Sequence, residues 1–120
     1  MFLGLRTAIY AAPNLAAAKE WYAKILGFAP YFDEPFYVGF NVGGYELGLD
    51  PDAPPNGEGG VTIYWGVENA EQAMKRLLEH GATEHSPVQN VGGSIFVGTV
   101  FDPFGNVLGV IENPDFTLSA

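Results

Sequence analysis

Few side chains in this sequence are equipped for chemistry, and one carboxylate has the most suggestive neighbours. Glu46 stands two residues before Gly48 in a short apolar run that reads as a strand, so alternation places both on one face. If that face lines a cavity, Glu46 is placed to act as a general base or as the partner of a cationic group. If it lies at an edge, the same carboxylate is a solvated surface charge. Asp50 shares the parity but falls at the end of the run, where turn formation accounts for it. His80 and His85, the two histidines, are expected at the end of a helix and in the loop after it, as solvated side chains. Cysteine is absent, which excludes disulfides, thiolate metal sites and cysteine nucleophiles.

Aromatic residues supply the second chemical resource. Phe36, Tyr37, Phe40, Tyr45 and Trp65 fall in neighbouring strands and loops, where their rings either stack on a planar or cationic ligand or fill core. Phe101 and Phe104 are expected to pack around a turn. Fourteen acidic against five basic residues give a formal charge of −9. A polyanion would be repelled, so neither nucleic acid nor an anionic membrane surface is an expected partner. The charge suits a cationic ligand, and it equally serves solubility alone.

The elements that must position these groups can be read from the pattern. A helix is expected from the cap Asn14 through Leu15, Ala18, Tyr22 and Ile25 to Gly27, and a second from the cap Asn69 through Ala70, Ala73, Leu77 and Leu78 to Gly81. Gln72 is placed to return a capping bond in the second helix, and Glu71 and His80 suit its dipole. Each helix follows a β-prone run, residues 7–12 and 62–67. Each is followed by two further runs, 36–42 and 45–49 around Gly43-Gly44, then 95–101 and 107–111 around Asp102-Pro103-Phe104-Gly105, a type I turn sequence. Val38-Gly39 echoes Val97-Gly98, and residues 47–49 echo 108–110. Short segments at 30–32 and 86–89 complete two copies of β-α-β-β-β.

The expected organisation is one α+β domain over residues 1–120: module one about 4–50, a breaker-rich linker 51–60, module two about 61–113, and a tail 114–120. A single module buries little surface, so the halves are expected to share a core. Residues 1–6 lack the basic start and long apolar run of a signal peptide, so none is expected, and no segment approaches the ~20 apolar residues of a membrane span. With cysteine absent, a cytoplasmic location is expected.

The stretch Ala12-Pro13-Asn14-Leu15, then Trp21-Tyr22 and Leu26-Gly27-Phe28, resembles the first helix of the vicinal-oxygen-chelate superfamily of glyoxalases, bleomycin resistance proteins and extradiol dioxygenases. Asp102-Pro103-Phe104-Gly105-Asn106 before the last strand is similar to a feature common there. The resemblance covers residues 7–113. It implies a cup-shaped mixed sheet with helices outside, and in active members one divalent metal held by His, Glu or Gln. Carried across by spacing, the ligand positions fall on Thr7, Thr62 and Gly109, with Gly48 as the first module's counterpart of the last. Threonine hydroxyls and glycine cannot anchor such an ion in the usual way, so no metal or other cofactor is expected.

The implied cup is then lined by Thr7, Ile9 and Ala11, by Thr62, Tyr64 and Gly66, and by Val107, Gly109 and Ile111, with Glu46 and Gly48 from the first module. Glu112 falls on the opposite parity, outside. An apolar lining with few polar groups suits an organic molecule, and the expected ligand-binding residues are Thr7, Ile9, Glu46, Gly48, Thr62, Tyr64, Trp65 and Gly109. The leading expectation is a metal-free small-molecule binder, forming a homodimer as family members commonly do. A metal-dependent or metal-free lyase, isomerase or dioxygenase is the alternative, with Glu46 as its catalytic candidate. A structural or partner-binding module with a filled cup is the third.

Overall fold

The structure is a computed structural model that describes residues 1–55 and 60–117. Residues 56–59 of the expected linker and 118–120 of the expected tail lie outside the described residues. Among those described, the order is β1 (Thr7–Ala11), α1 (Leu15–Leu26), β2 (Phe32–Glu34), β3 (Tyr37–Val42), β4 (Tyr45–Asp50), β5 (Tyr64–Gly66), α2 (Ala70–Glu79), β6 (Thr83–Gly92), β7 (Ile95–Phe101) and β8 (Val107–Glu112). This is an α+β fold of two tandem βαβββ modules. Each forms a four-stranded mixed sheet, ordered β1-β4-β3-β2 in the first and β5-β8-β7-β6 in the second. The first strand of each module runs parallel to its last, and the remaining pairs are antiparallel.

The helices form where capping chemistry meets an apolar face. Asn14 accepts from the Ala17 amide at 3.1 Å, and Gly27, at φ 85°, closes α1 in the left-handed region. Asn69 accepts from Gln72 at 2.9 Å in α2. Glu112, on the helix side of β8, accepts at Oε1 from the Ala70 amide at 2.9 Å, satisfying another of the first-turn donors. In the first unit Tyr22 of α1 stacks on Tyr10 of β1, with ring centroids 6.1 Å apart. The pairs Val38–Leu49 and Phe40–Leu47 complete that buried layer. In the second unit Ala70, Met74 and Leu77 are buried with Val100, Leu108 and Val110. A fully buried aliphatic or aromatic side chain of this kind contributes roughly 1.5–3 kcal/mol.

The chain divides into two compact units, and the division does not follow the modules strictly. Phe104–Asn106, from the turn before β8, belong with the first unit. Asn106 is fully buried. It accepts from the Ala11 amide at 3.0 Å and donates to the Ala11 carbonyl at 2.8 Å, so its side-chain amide acts as one rung of a sheet. Phe104 meets Trp21 edge-on at 6.3 Å. The turn sequence is thus a clamp on β1.

Four expectations of the sequence are corrected. The third-layer strands are shifted or longer: β2 begins at Phe32 where residues 30–32 were expected, and β6 runs over Thr83–Gly92 in place of residues 86–89. β6 passes through Pro87 because its register shifts between Ser86 and Gln89, where a missing N–H is tolerated. His85 therefore lies in a strand and not in a loop. The ladder of β5 is shorter than residues 62–67, so Thr62 precedes the strand. Finally, the Val38-Gly39 and Val97-Gly98 echo is one residue out of register. Gly39 opposes Gly48, whereas Thr99, not Gly98, opposes Gly109.

Candidate functional site

In the first unit, cross-strand pairing lines up the face opposite α1. Thr7, Glu46 and Asn41 form one row, and Ile9, Gly48, Gly39 and Phe32 form the next. The two neighbouring glycines leave a floor without side chains, and two tyrosine rings lie across it. A Cβ on Gly48 would fall 1.8 Å from the Tyr37 hydroxyl, and one on Gly39 would fall 2.7 Å from Glu46 Oε2 and 3.3 Å from the Tyr31 ring. With Tyr37, Tyr31 and Glu46 where they stand, no larger side chain fits at either position.

Those rings converge on Glu46. Its Oε1 accepts from Thr7 Oγ1 at 2.7 Å and from the Tyr37 hydroxyl at 2.6 Å, and its Oε2 accepts from the Tyr31 hydroxyl. Partial burial alone would raise the Glu46 carboxyl. The Tyr31, Tyr37 and Thr7 donors outweigh it and hold the group below its ordinary 4.5. The phenols move the other way. Burial, reinforced by the bond to Glu46, pushes Tyr37 up to about 12, and the bond to Glu46 followed by desolvation raises Tyr31. At neutral pH the site is an ionised carboxylate held by neutral hydroxyl donors. That arrangement suits a fixed negative charge better than a general base, which works best with a carboxyl tuned upward.

A groove of about 480 Å³ opens beside this cluster, lined by Tyr31, Phe32, Phe36, Tyr37, Glu46 and Asp50. Phe32 meets Phe36 edge-on at 6.1 Å and lies tilted 6.2 Å from Tyr37, and Tyr31 and Phe36 are largely exposed. Asp50 takes the Asp52 amide at 2.8 Å and brings a second carboxylate to the groove. On the other side of Glu46, a second groove is lined by Arg6, Thr7, Tyr31, Asn41 and Tyr45.

The remaining expected residues fall as follows. Ile9 is half-exposed and opposes Gly48, one row from Glu46. Tyr64 lies over Gly109, where a Cβ would meet its ring at 2.7 Å and the Ile63 carbonyl at 2.6 Å. Trp65 opposes Val110, so it belongs to the α2 side of its sheet and not with Tyr64. Thr62 stands outside β5. Tyr31 was missed by the sequence reading, and Tyr37 was read only as aromatic surface. The available signal was the pair of glycines at 39 and 48, which in register leave a space that only neighbouring long side chains can cover.

Divalent-metal chemistry does not fit the positions carried across from the resemblance. Thr7 gives its hydroxyl to Glu46, Gly48 lies beneath Tyr37, and Gly109 lies beneath Tyr64. Among the described residues, no three His, Asp or Glu side chains are grouped to hold an ion.

The sequence profile of the Glyoxalase/Bleomycin resistance protein/Dioxygenase superfamily matches residues 4–110. A glyoxalase-related enzyme from Fulvimarina pelagi superposes with a TM-score of 0.78 at 21% identity, covering 99% of this chain and 94% of that one. A superfamily member from Sphaerobacter thermophilus gives 0.73 at 21% identity, covering 94% and 99%. A lactoylglutathione lyase from Agrobacterium tumefaciens gives 0.71 at 16% identity, covering 99% and 100%. At these identities the likeness concerns the fold. A search of curated protein sequences finds no significant match. With the profile spanning both modules, the chain belongs to the Glyoxalase/Bleomycin resistance protein/Dioxygenase superfamily.

Proposed function

We propose that this superfamily member binds a small cationic or aromatic molecule without a metal, and that the first module's groove at Glu46 receives it. The observation that carries the reading is a carboxylate held ionised by three hydroxyls, standing at the edge of a groove walled by aromatic rings. An ionised carboxylate fixed beforehand binds a cation without the cost of ordering its own side chain. Aromatic faces add cation–π attraction. The net charge of −9 favours approach of a cation at long range. The same features weaken the lyase or dioxygenase reading, because Thr7, Gly48 and Gly109 offer a metal no usual donor and Glu46 is a poor base.

The test pairs metal analysis of the purified, never-chelated protein with calorimetric titration of Ni, Mn, Zn and Fe(II). Absence of stoichiometric metal together with saturable binding of small organic cations supports the reading. Micromolar or tighter metal binding would sink it and restore the enzyme alternative. We propose, further, a homodimer in the cytoplasm. Each sheet ends in two edge strands, β1 and β2 in the first and β5 and β6 in the second, and exposed edges need cover. A monomer by light scattering at micromolar concentration would refute the dimer.

A further inference from the structure

Glu46 has a limited number of places left at which to accept a hydrogen bond, and that number selects among cations. A carboxylate offers about four acceptor positions, two on each oxygen. Thr7 and Tyr37 occupy both positions on Oε1, and Tyr31 occupies one on Oε2. One position on Oε2 remains. A guanidinium or amidinium binds a carboxylate through two parallel bonds, one to each oxygen. Oε1 cannot receive its half without losing Thr7 or Tyr37. A primary ammonium brings three donors and finds one acceptor on Glu46, so two of its N–H groups must look to water or to Asp50, one of whose oxygens already holds the Asp52 amide. A tertiary ammonium brings a single N–H. A quaternary ammonium brings none and relies on the charge and on ring faces.

We propose that the groove is selective for alkylated ammonium ions, tertiary or quaternary and carrying an apolar or aryl substituent, over guanidinium. This rests on the cation-binding reading above and deepens it. The wall supports the same choice. Tyr31, Phe32, Phe36 and Tyr37 face the groove together with the two carboxylates, so methyl or aryl groups on nitrogen meet rings while the charge meets Glu46 and Asp50. The chain carries its own guanidinium for comparison. Arg6 borders the adjoining groove with Thr7, Tyr31 and Glu46, yet its Nη1 donates to the Leu5 carbonyl at 3.3 Å.

The experiment is isothermal calorimetry on the full chain with four benzyl compounds that share one ring: benzyltrimethylammonium, N,N-dimethylbenzylammonium, benzylguanidinium and neutral benzyl alcohol. The first two are expected to bind about tenfold or more tightly than benzylguanidinium, and benzyl alcohol weakest. Equal or tighter binding of benzylguanidinium overturns the selectivity while leaving cation binding intact. Benzyl alcohol binding as well as the cations, or no binding of any of them at millimolar concentration, overturns the cation-binding reading itself. Tyr37→Phe supplies a readout that a merely structural residue would not move. It keeps a ring over Gly48 but frees one position on Oε1, so benzylguanidinium should gain several-fold relative to benzyltrimethylammonium. An unchanged ratio in a folded Tyr37→Phe protein would also overturn the acceptor count.

Discussion

Two residues before the glycine that anchors each module's last strand stands Glu46 in β4 and Val107 in β8. The same strand order and pairing surround both, and the glycines Gly48 and Gly109 both lie beneath tyrosine rings. Around them the side chains diverge. Opposite Gly48 the first module has Gly39, and opposite Gly109 the second has Thr99. Counting from those pairs, Tyr37 corresponds to Val97 and Tyr31 to His85. His85 has Thr99 and Phe101 as neighbours. Its Nδ1 lies 2.9 Å from Thr99 Oγ1 and its ring 4.7 Å from Phe101. One backbone plan thus carries a carboxylate held by hydroxyls in one copy and a valine, Val107, at the matching position of the other. The difference teaches that a charge in such a sheet depends on its donors arriving with it.

The sharpest way to break that comparison is to move the carboxylate alone. Val107→Glu places a charge at a position that is 3% exposed, opposite Phe101 and on the face of Thr99 and Gly109, without the two tyrosines. It should destabilise the fold by on the order of 3 kcal/mol or more, as an uncompensated buried charge does. Urea unfolding measures it, and a cost below about 1 kcal/mol would mean that Glu46 owes nothing to its partners.

The glycines distinguish a movable obstacle from a fixed one. In Gly109→Ala the new Cβ meets the backbone carbonyl of Ile63, and overpacking of this kind costs about 1–3 kcal/mol. In Gly48→Ala it meets only the end of Tyr37, which can swing aside. The expected stability loss is the smaller of the two. The expected spectroscopic change is larger, because a displaced Tyr37 titrates back from about 12 towards 10.0. Equal losses with no phenol shift would contradict the arrangement.

Dependence on pH sharpens the contrast further. Glu46 titrates lower in the folded protein than its ordinary 4.5, so its stabilising contribution is complete above that value and is lost as the pH falls through the folded one. Tyr37 is raised from 10.0 to about 12, so its contribution is complete below 10.0 and is lost as the pH rises towards 12. Glu46→Gln should flatten both limbs of the curve of urea midpoint against pH. Limbs identical to those of the parent protein would show that the cluster contributes neither. The smallest expected effect is that of Thr7→Val. It removes one of three donors and should cost roughly 0.5–1.5 kcal/mol, with a modest rise in the Glu46 carboxyl.

Much of this was readable in the chain. Caps at Asn14 and Asn69, the glycine after the first helix and the duplicated order of elements all act locally, and local signals survive in a sequence. Glu46 and Gly48 were placed on one face by alternation alone. Tyr31 was not legible, because it reaches Glu46 from outside β2 across a glycine floor that exists only once β2, β3 and β4 are in register. The register itself misled at Val97-Gly98. A repeated dipeptide carries no record of which face its glycine takes, and Gly98 turned to Met74 of α2, whose sulfur a Cβ would meet at 3.1 Å. Asn106 was seen as part of a turn sequence, while its bond to Ala11, ninety-five positions away, is a tertiary fact.

The central claim is that Glu46 is a carboxylate held ionised by Thr7, Tyr31 and Tyr37. It is tested most directly by NMR titration of the side-chain carboxyl carbons in protein labelled at glutamate, with Glu46 assigned through Glu46→Gln. A midpoint clearly below 4.5 that rises in Tyr37→Phe is the predicted result. A midpoint at or above 4.5, indifferent to Tyr37, would contradict the account.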